Sequence, residues 1–202
     1  MPILSRIIAS DSRRILALLL IAVMLSAWLI WEIAPASEFK DNHLNQDTRV
    51  FTVANFNSST RVASIRGRHN VLLDQRYCIV LSDSVYYNPL EEGHRYINSS
   101  WILNYSLTAG FLGNATIALK YYVYNPDMTL LGESFMFHCS IQDDSVNKSI
   151  EREDGEVLRY HFIPGGEYYI RVAFIVVLSG NSIVNGANHS NPATLQLIEL
   201  TI

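Results

Sequence analysis

The sequence predicts an all-β domain, a two-sheet antiparallel sandwich of jelly-roll or immunoglobulin-like kind, preceded by a single N-terminal transmembrane helix. Three observations lead there. One apolar run near the N-terminus is long enough to cross a bilayer. The remaining chain is cut into short strand-like runs by turn residues every 8–15 positions. No long segment beyond that run has a 3.6-residue apolar period.

The apolar run comes first. From Ile15 to Ile33 the only charged residue is Glu32, and nineteen helical residues span about 28 Å, close to a hydrocarbon core of roughly 30 Å. Trp28 and Trp31 fall near its outer end, where amphipathic rings favour headgroups, and Pro35 stops the helix. Arg6, Arg13 and Arg14 precede it, whereas Glu32, Glu38 and Asp41 follow, with Lys40 the one nearby base. The excess of Arg on the N-terminal side predicts that this side is cytosolic. The division that follows is a cytoplasmic tail at 1–14, a helix at 15–34, a juxtamembrane linker at 35–48 and an exoplasmic sandwich at 49–202. The competing reading is a cleaved signal peptide ending at Ala34-Pro35-Ala36. Its apolar region would be longer than the 7–15 residues signal peptides usually carry, and the intervening Pro fits poorly in an extended cleavage groove.

Composition narrows the outer part. About 165 residues suffice for one domain with a core and not for two comfortable ones. The chain is 49% hydrophobic and 17% charged with a net charge of −4, and no basic run follows the anchor, so nucleic acid is excluded as a partner. Eleven Tyr and eight Phe favour strands over helices.

Two features fit an exoplasmic compartment. Sequons of the form Asn-x-Ser/Thr begin at Asn57, Asn98, Asn104, Asn114, Asn147 and Asn188. Chance in a chain this rich in Asn, Ser and Thr gives about two, so these are candidate glycosylation sites; the plainer reading is a polar surface. The two cysteines, Cys78 and Cys139, both follow the anchor. In an oxidising compartment an isolated pair usually bonds, and closing a loop of about 60 residues would add roughly 4 kcal/mol in the chain-entropy picture. Two buried free thiols are the alternative.

Candidate strands are 49–54, 60–65, 76–82, 100–109, 115–124, 128–138, 157–163, 167–178 and 194–202. Turns fall at Tyr87-Asn88-Pro89, Gly110 to Gly113, Asn125-Pro126-Asp127 and Pro164-Gly165-Gly166. The stretch 141–156, with acids at 143, 144, 151, 153, 154 and 156, reads as an exposed loop. The strongest alternation marks 101–124 as a hairpin. Trp101, Leu103, Tyr105 and Leu107 on one strand and Ala115, Ile117, Leu119, Tyr121 and Val123 on the next form its apolar face, leaving Asn104 and Asn114 together on the wet one. Residues Val172–Leu178 are apolar at every position, which suits a strand covered on both sides or one that meets a partner subunit or the membrane.

The phrase Pro-Gly-Gly-Glu-Tyr-Tyr-Ile-Arg-Val at 164–172, with Leu-Gln-Leu-Ile-Glu-Leu-Thr-Ile at 195–202, resembles the last strands of secreted jelly-roll modules that accompany peptidases. It covers only those two short stretches, and what it implies is a two-sheet sandwich.

Reactive constellations are few. His138-Cys139 are adjacent and so point to opposite faces of a strand, with no Cys-x3-Cys and no local ligand loop for copper. His94 and His161 converge on Cys139 only if the fold brings them there. Gly-x-Ser-x-Gly, His-Glu-x-x-His and a phosphate loop are all missing from the sequence. The expectation is therefore no enzyme, no cofactor and no metal site. The chain reads as a non-catalytic accessory subunit, or an interaction or adhesion module of a membrane or cell-surface assembly, whose partners are membrane lipid and other membrane or surface subunits. The alternative is a domain binding a small molecule, a carbohydrate or a redox metal.

Overall fold

A computed structural model describes residues 47–152 and 158–202, with the side chains of Leu73 and Arg152 left aside. The cytoplasmic tail, the transmembrane helix expected at 15–34 and all of the linker before residue 47 lie outside the described residues. Among the described residues no helix is long and apolar enough to cross a membrane.

The described chain is all-β. Its ten strands are β1 (Phe51–Asn57), β2 (Val62–Leu81), β3 (Val85–Tyr87), β4 (Gly93–Ala109), β5 (Asn114–Tyr124), β6 (Leu130–Gln142), β7 (Ser145–Arg152), β8 (Leu158–Phe162), β9 (Tyr168–Asn185) and β10 (Ala193–Thr201). Every pairing is antiparallel. One hydrogen-bonded sheet, in the order β1-β2-β10-β4-β9-β5-β6, doubles over into two layers.

The doubling comes from two long strands. β2 and β9 pair from Gly67↔Val184 to Leu81↔Ala173, with a slip between Val71 and Gln75 that leaves residues 72–74 outside the ladder. Beside that slip Gly180 adopts a φ of 60°, and both strands turn from one layer into the other. In the front layer β9 lies between β2 and β5, and β5 pairs with β6 at the edge. In the back layer β4 is central: β10 and the end of β9 flank one side, β8 and β7 the other.

Side chains meet between the layers. Trp101 and Tyr105 of β4 each pack on Phe137 of β6 with ring centroids 6.0 Å apart. Ser99 Oγ and Tyr121 OH share a buried hydrogen bond of 2.7 Å. At the other end Phe162 of β8 meets Tyr87 of β3 and Tyr168 of β9, each at 4.8 Å. Edge-to-face rings at these spacings interlock the layers beyond simple area burial.

The structure corrects three expectations. The 101–124 hairpin does not form: β4 and β5 sit in opposite layers, joined by an arch at 110–113 that is closed by Gly113 N–H on the Gly110 carbonyl. Alternation specified which face of each strand is buried, and both apolar faces do point inward. It could not specify that the two strands face each other across the core instead of pairing. The runs expected at 60–65 and 76–82 are one strand, β2. The acidic stretch 141–156 contains a strand, because β7 pairs residue for residue with Thr108 down to Trp101. Val146 and Ile150 pack against the core from this edge strand. Between them Lys148, register partner of Tyr105, is exposed on the same face. An inward-pointing charge of this kind discourages a further strand from adding.

Candidate interaction surfaces

The Val172–Leu178 run divides cleanly. Val172, Phe174, Val176 and Leu178 face the core between the layers. Ala173, Ile175 and Val177 point out of the front layer, where they form a second apolar cluster with Ala118, Tyr122 and Tyr124 of β5. Ile79 and Leu81 of β2 and Met128, Leu130 and Tyr169 pack against it. β5 is therefore apolar on both faces, whereas its outer face was expected to be wet.

Register explains the patch. The row Ile79↔Ile175↔Ala118↔His138 crosses four strands, and Leu81↔Ala173↔Lys120↔Phe135 lies beside it. Small side chains at Ala118 and Ala173 keep the middle low. Taller residues rim it: Tyr77, Phe135, and Lys120, whose Nζ is 2.8 Å from Glu133 Oε1 and 4.2 Å from the Phe135 ring centroid. The cluster inside this edge is itself buried, with Ala118, Tyr122, Tyr124, Ala173, Ile175 and Val177 all at 8% exposure or less. Burial pushes the Tyr124 hydroxyl up to about 12, and Glu133 adds to the shift. Burial also raises Tyr122, and it lowers His138, on which Lys120 acts in the same direction.

A second apolar surface lies at the corner where the strands change layers. Val71 and Leu72 are 52% and 57% exposed on the β2 slip, and Phe111 and Leu112 are 79% and 50% exposed on the β4–β5 arch. The two segments meet through Gly180. Val71 is its register partner, and a Cβ on Gly180 would lie 2.4 Å from the Leu112 carbonyl oxygen.

The other residues singled out from sequence are dispersed. His94 and His161 are cross-strand partners on β4 and β8 with ring centroids 4.9 Å apart, and His161 Nε2 lies 3.2 Å from Glu92 Oε1. Burial first, then Arg159 and His161, lowers the His94 pKa. Neither histidine joins Cys139, which is on β6. Among the described residues no group of three or more His, Cys, Asp or Glu is placed to hold a metal ion.

The expected Cys78–Cys139 disulfide is absent, and both thiols are free. The reason is register. Cys78 pairs with Val176, Val176 with Ile117, and Ile117 with Cys139. The sulfurs share one row and face but stand three strand spacings apart, about 14 Å, whereas bridging needs Cα atoms within about 7 Å. Cys78 is buried, which pushes its thiol up to about 12. Cys139 lies beside the Tyr105 hydroxyl, whose pKa rises through burial and that contact.

The sequons scatter over both layers. Asn57, Asn147 and Asn188 are exposed, and Asn98, Asn104 and Asn114 are half-buried. Asn104 and Asn114, expected side by side, lie on the outer faces of opposite layers. Asn104 Oδ1 accepts from Ser149 Oγ, and Asn114 Oδ1 from the Thr116 and Ser140 hydroxyls. Asn147 Nδ2 donates to the Ala187 carbonyl at 2.7 Å, in the loop that carries Asn188.

No protein-family model and no curated protein sequence matches the chain. Among solved structures it is similar to that of the infectious bursal disease virus Gx strain, at 9% identity and a TM-score of 0.16 over 67% of this chain. The Gt strain structure gives 10% identity and a TM-score of 0.14 over 66% of this chain. The chain spans 37% and 38% of the length of those viral chains. At such scores they assign neither fold family nor function.

Proposed function

We propose that this chain is a membrane-anchored exoplasmic module that works by binding, as an accessory subunit or adhesion component of a membrane or cell-surface assembly. A transmembrane helix at 15–34 holds it, residues 1–14 stay in the cytosol, and the sandwich is displayed outside, glycosylated at some of its six sequons. The jelly-roll-like or immunoglobulin-like label belongs to the same reading.

One observation carries it: the apolar run Ile15–Ile33, of bilayer length, with Arg6, Arg13 and Arg14 on its N-terminal side. Antiparallel sandwiches ordinarily turn polar residues outward, and strands apolar on both sides are strands covered on both sides. Here Ala173, Ile175 and Val177 are covered in that way, at 8% exposure or less, and only the edge at Tyr77 and Phe135 is open. Burying apolar area drives association at about 25 cal/mol per Å², so the exposed aromatic edge at Tyr77 and Phe135 is the seat for a protein partner.

A photo-crosslinking amino acid placed at Tyr77 or Phe135 in the membrane-embedded chain tests it. Both residues are partly exposed at the rim. Discrete adducts to one protein from these sites, with none from Asn57 on the β1–β2 turn, support the reading. Adducts from Asn57 alone, or turnover of a substrate by the purified chain, would replace it.

A further inference from the structure

We propose that the corner formed by Val71, Leu72, Phe111 and Leu112 dips into the surface of the bilayer that anchors the chain, and that its ligand is zwitterionic phospholipid of no net charge. The inference rests on the anchor reading.

The first argument is exposure in a cluster. These four large apolar side chains stand at least half exposed on two separate segments that one backbone contact brings together. Single exposed apolar residues need no explanation, but a contiguous group at a projecting end marks a surface that meets apolar matter.

The second is where the chain enters the domain. Asp47, the first described residue, lies 3.8 Å from Arg76, and Arg76 Nε is 2.9 Å from Asp74 at the end of the β2 slip. The chain thus arrives at the corner that carries the apolar residues. Only 34–46 separate it from the apolar run ending at Ile33, a tether of at most about 45 Å when fully extended. The opposite end of the domain points away. Leu90, 93% exposed, sits there beside Gly165, whose N–H bonds the Pro89 carbonyl. From Tyr168 to Gly180, β9 spans about 40 Å at strand rise.

The third is charge. Asp74 and Asp47 adjoin the β2 slip, and Asp143 and Asp144 adjoin the arch through the bond from Ala109 N–H to the Asp144 carbonyl. Set against Arg49, Arg68 and Arg76, these four acids leave no net basic collar for anionic headgroups. Insertion here is apolar, and the lipid it suits is zwitterionic.

The test uses the full chain in phosphatidylcholine vesicles with an environment-sensitive fluorophore on Leu72→Cys, Phe111→Cys or Leu90→Cys. Unlabelled Cys78 and Cys139 are controlled with the parent chain. Quenchers are a nitroxide on the lipid acyl chain and aqueous iodide. Expected is several-fold stronger quenching by the lipid nitroxide at positions 72 and 111 than at 90, and the reverse for iodide. Equal iodide quenching at all three sites in a chain that stays with the vesicles overturns the corner while leaving the anchor standing. Protection from both quenchers assigns the corner to a protein contact and overturns it too. A gain in lipid quenching when phosphatidylserine is included overturns the assignment to neutral lipid. If the chain stays in the aqueous phase the anchor reading fails, and added vesicles then decide the corner through the same labels.

Discussion

Gly180 and Gly165 both sit in the left-handed region, at φ 60° and 72°, yet their surroundings differ completely. A Cβ at Gly165 meets nothing within 4 Å. A Cβ at Gly180 meets the Leu112 carbonyl oxygen at 2.4 Å and Gly113 Cα at 2.9 Å, both backbone atoms of the arch. Gly165→Ala therefore carries the cost of a left-handed L-residue alone, roughly 1–2 kcal/mol. Alanine also restricts the unfolded chain, which offsets about 0.4–1 kcal/mol at either site. Gly180→Ala adds a clash that only backbone movement can relieve, and overpacking of that kind costs about 1–3 kcal/mol more. In a domain of this size each kcal/mol lowers Tm by roughly 2–4 °C, so Gly180→Ala should melt about 2–12 °C below Gly165→Ala. Thermal and urea unfolding of the full chain in mild detergent, followed by near-ultraviolet circular dichroism, measures the gap. Melting of the two variants within about 1 °C of each other would refute the reasoning, because it would mean the arch is not locked against β9.

Two thiols per chain should alkylate after denaturation without reductant, and Cys78 should resist modification in the native state because burial holds its thiol protonated near pH 8. A chain two protons lighter, with no alkylation, would sink this. Stability should fall once the pH passes about 10. Tyr105, Tyr121, Tyr122, Tyr124 and Tyr160 all have folded pKa values raised by burial. The folded state therefore keeps protons the unfolded chain releases, and the stability present below the ordinary tyrosine value is lost above it. Absorbance near 295 nm should show these phenols ionising together with unfolding; smooth titration without unfolding is the contrary result. Glycan mapping of the native protein should find Asn57 and Asn188 modified and Asn114 bare, since Asn114 is held by two hydroxyls next to the apolar corner. A glycan on Asn114 is incompatible with that corner lying against lipid.

What the sequence made legible was the face each residue takes. Trp101, Leu103, Tyr105 and Leu107 are buried as their alternation required, and so are Ala115, Ile117, Leu119, Tyr121 and Val123. The all-β character followed from the same patterns. Pairing was not legible, because a strand with one apolar face satisfies its pattern beside a neighbour or across a core. The hairpin at 101–124 and the disulfide failed for that one reason. The cysteines do share a face, but two strands separate theirs. The strand at 145–152 was hidden by acids clustered at either end of it, although Val146 and Ile150 kept strand spacing between them. His94 and His161 met because β8 pairs with the first residues of β4, a contact with no local signature.

The run Val172–Leu178 was readable as two alternatives, a strand covered on both sides or a strand meeting a partner. Burial selects the first, because no residue from Val172 to Leu178 is more than 8% exposed. β9 is bracketed on both sides, by β3 and then β2 on one and by β5 and then β4 on the other, so its edges offer nothing to a partner. Its inner face is committed to the core through Phe174, Val176 and Leu178. What remains is the outer face, and there Ala173, Ile175 and Val177 align in register with Leu81, Ile79 and Tyr77 on β2. On β5, Ala118 and Lys120 continue two of those rows. A lone apolar strand would give a stripe one residue wide, too narrow to hold anything. Three adjacent strands carrying apolar rows give an area, and the burial of Ala118, Tyr122, Ala173, Ile175 and Val177 to 8% exposure or less makes this lateral agreement between distant parts of the sequence a second covered face of the sheet.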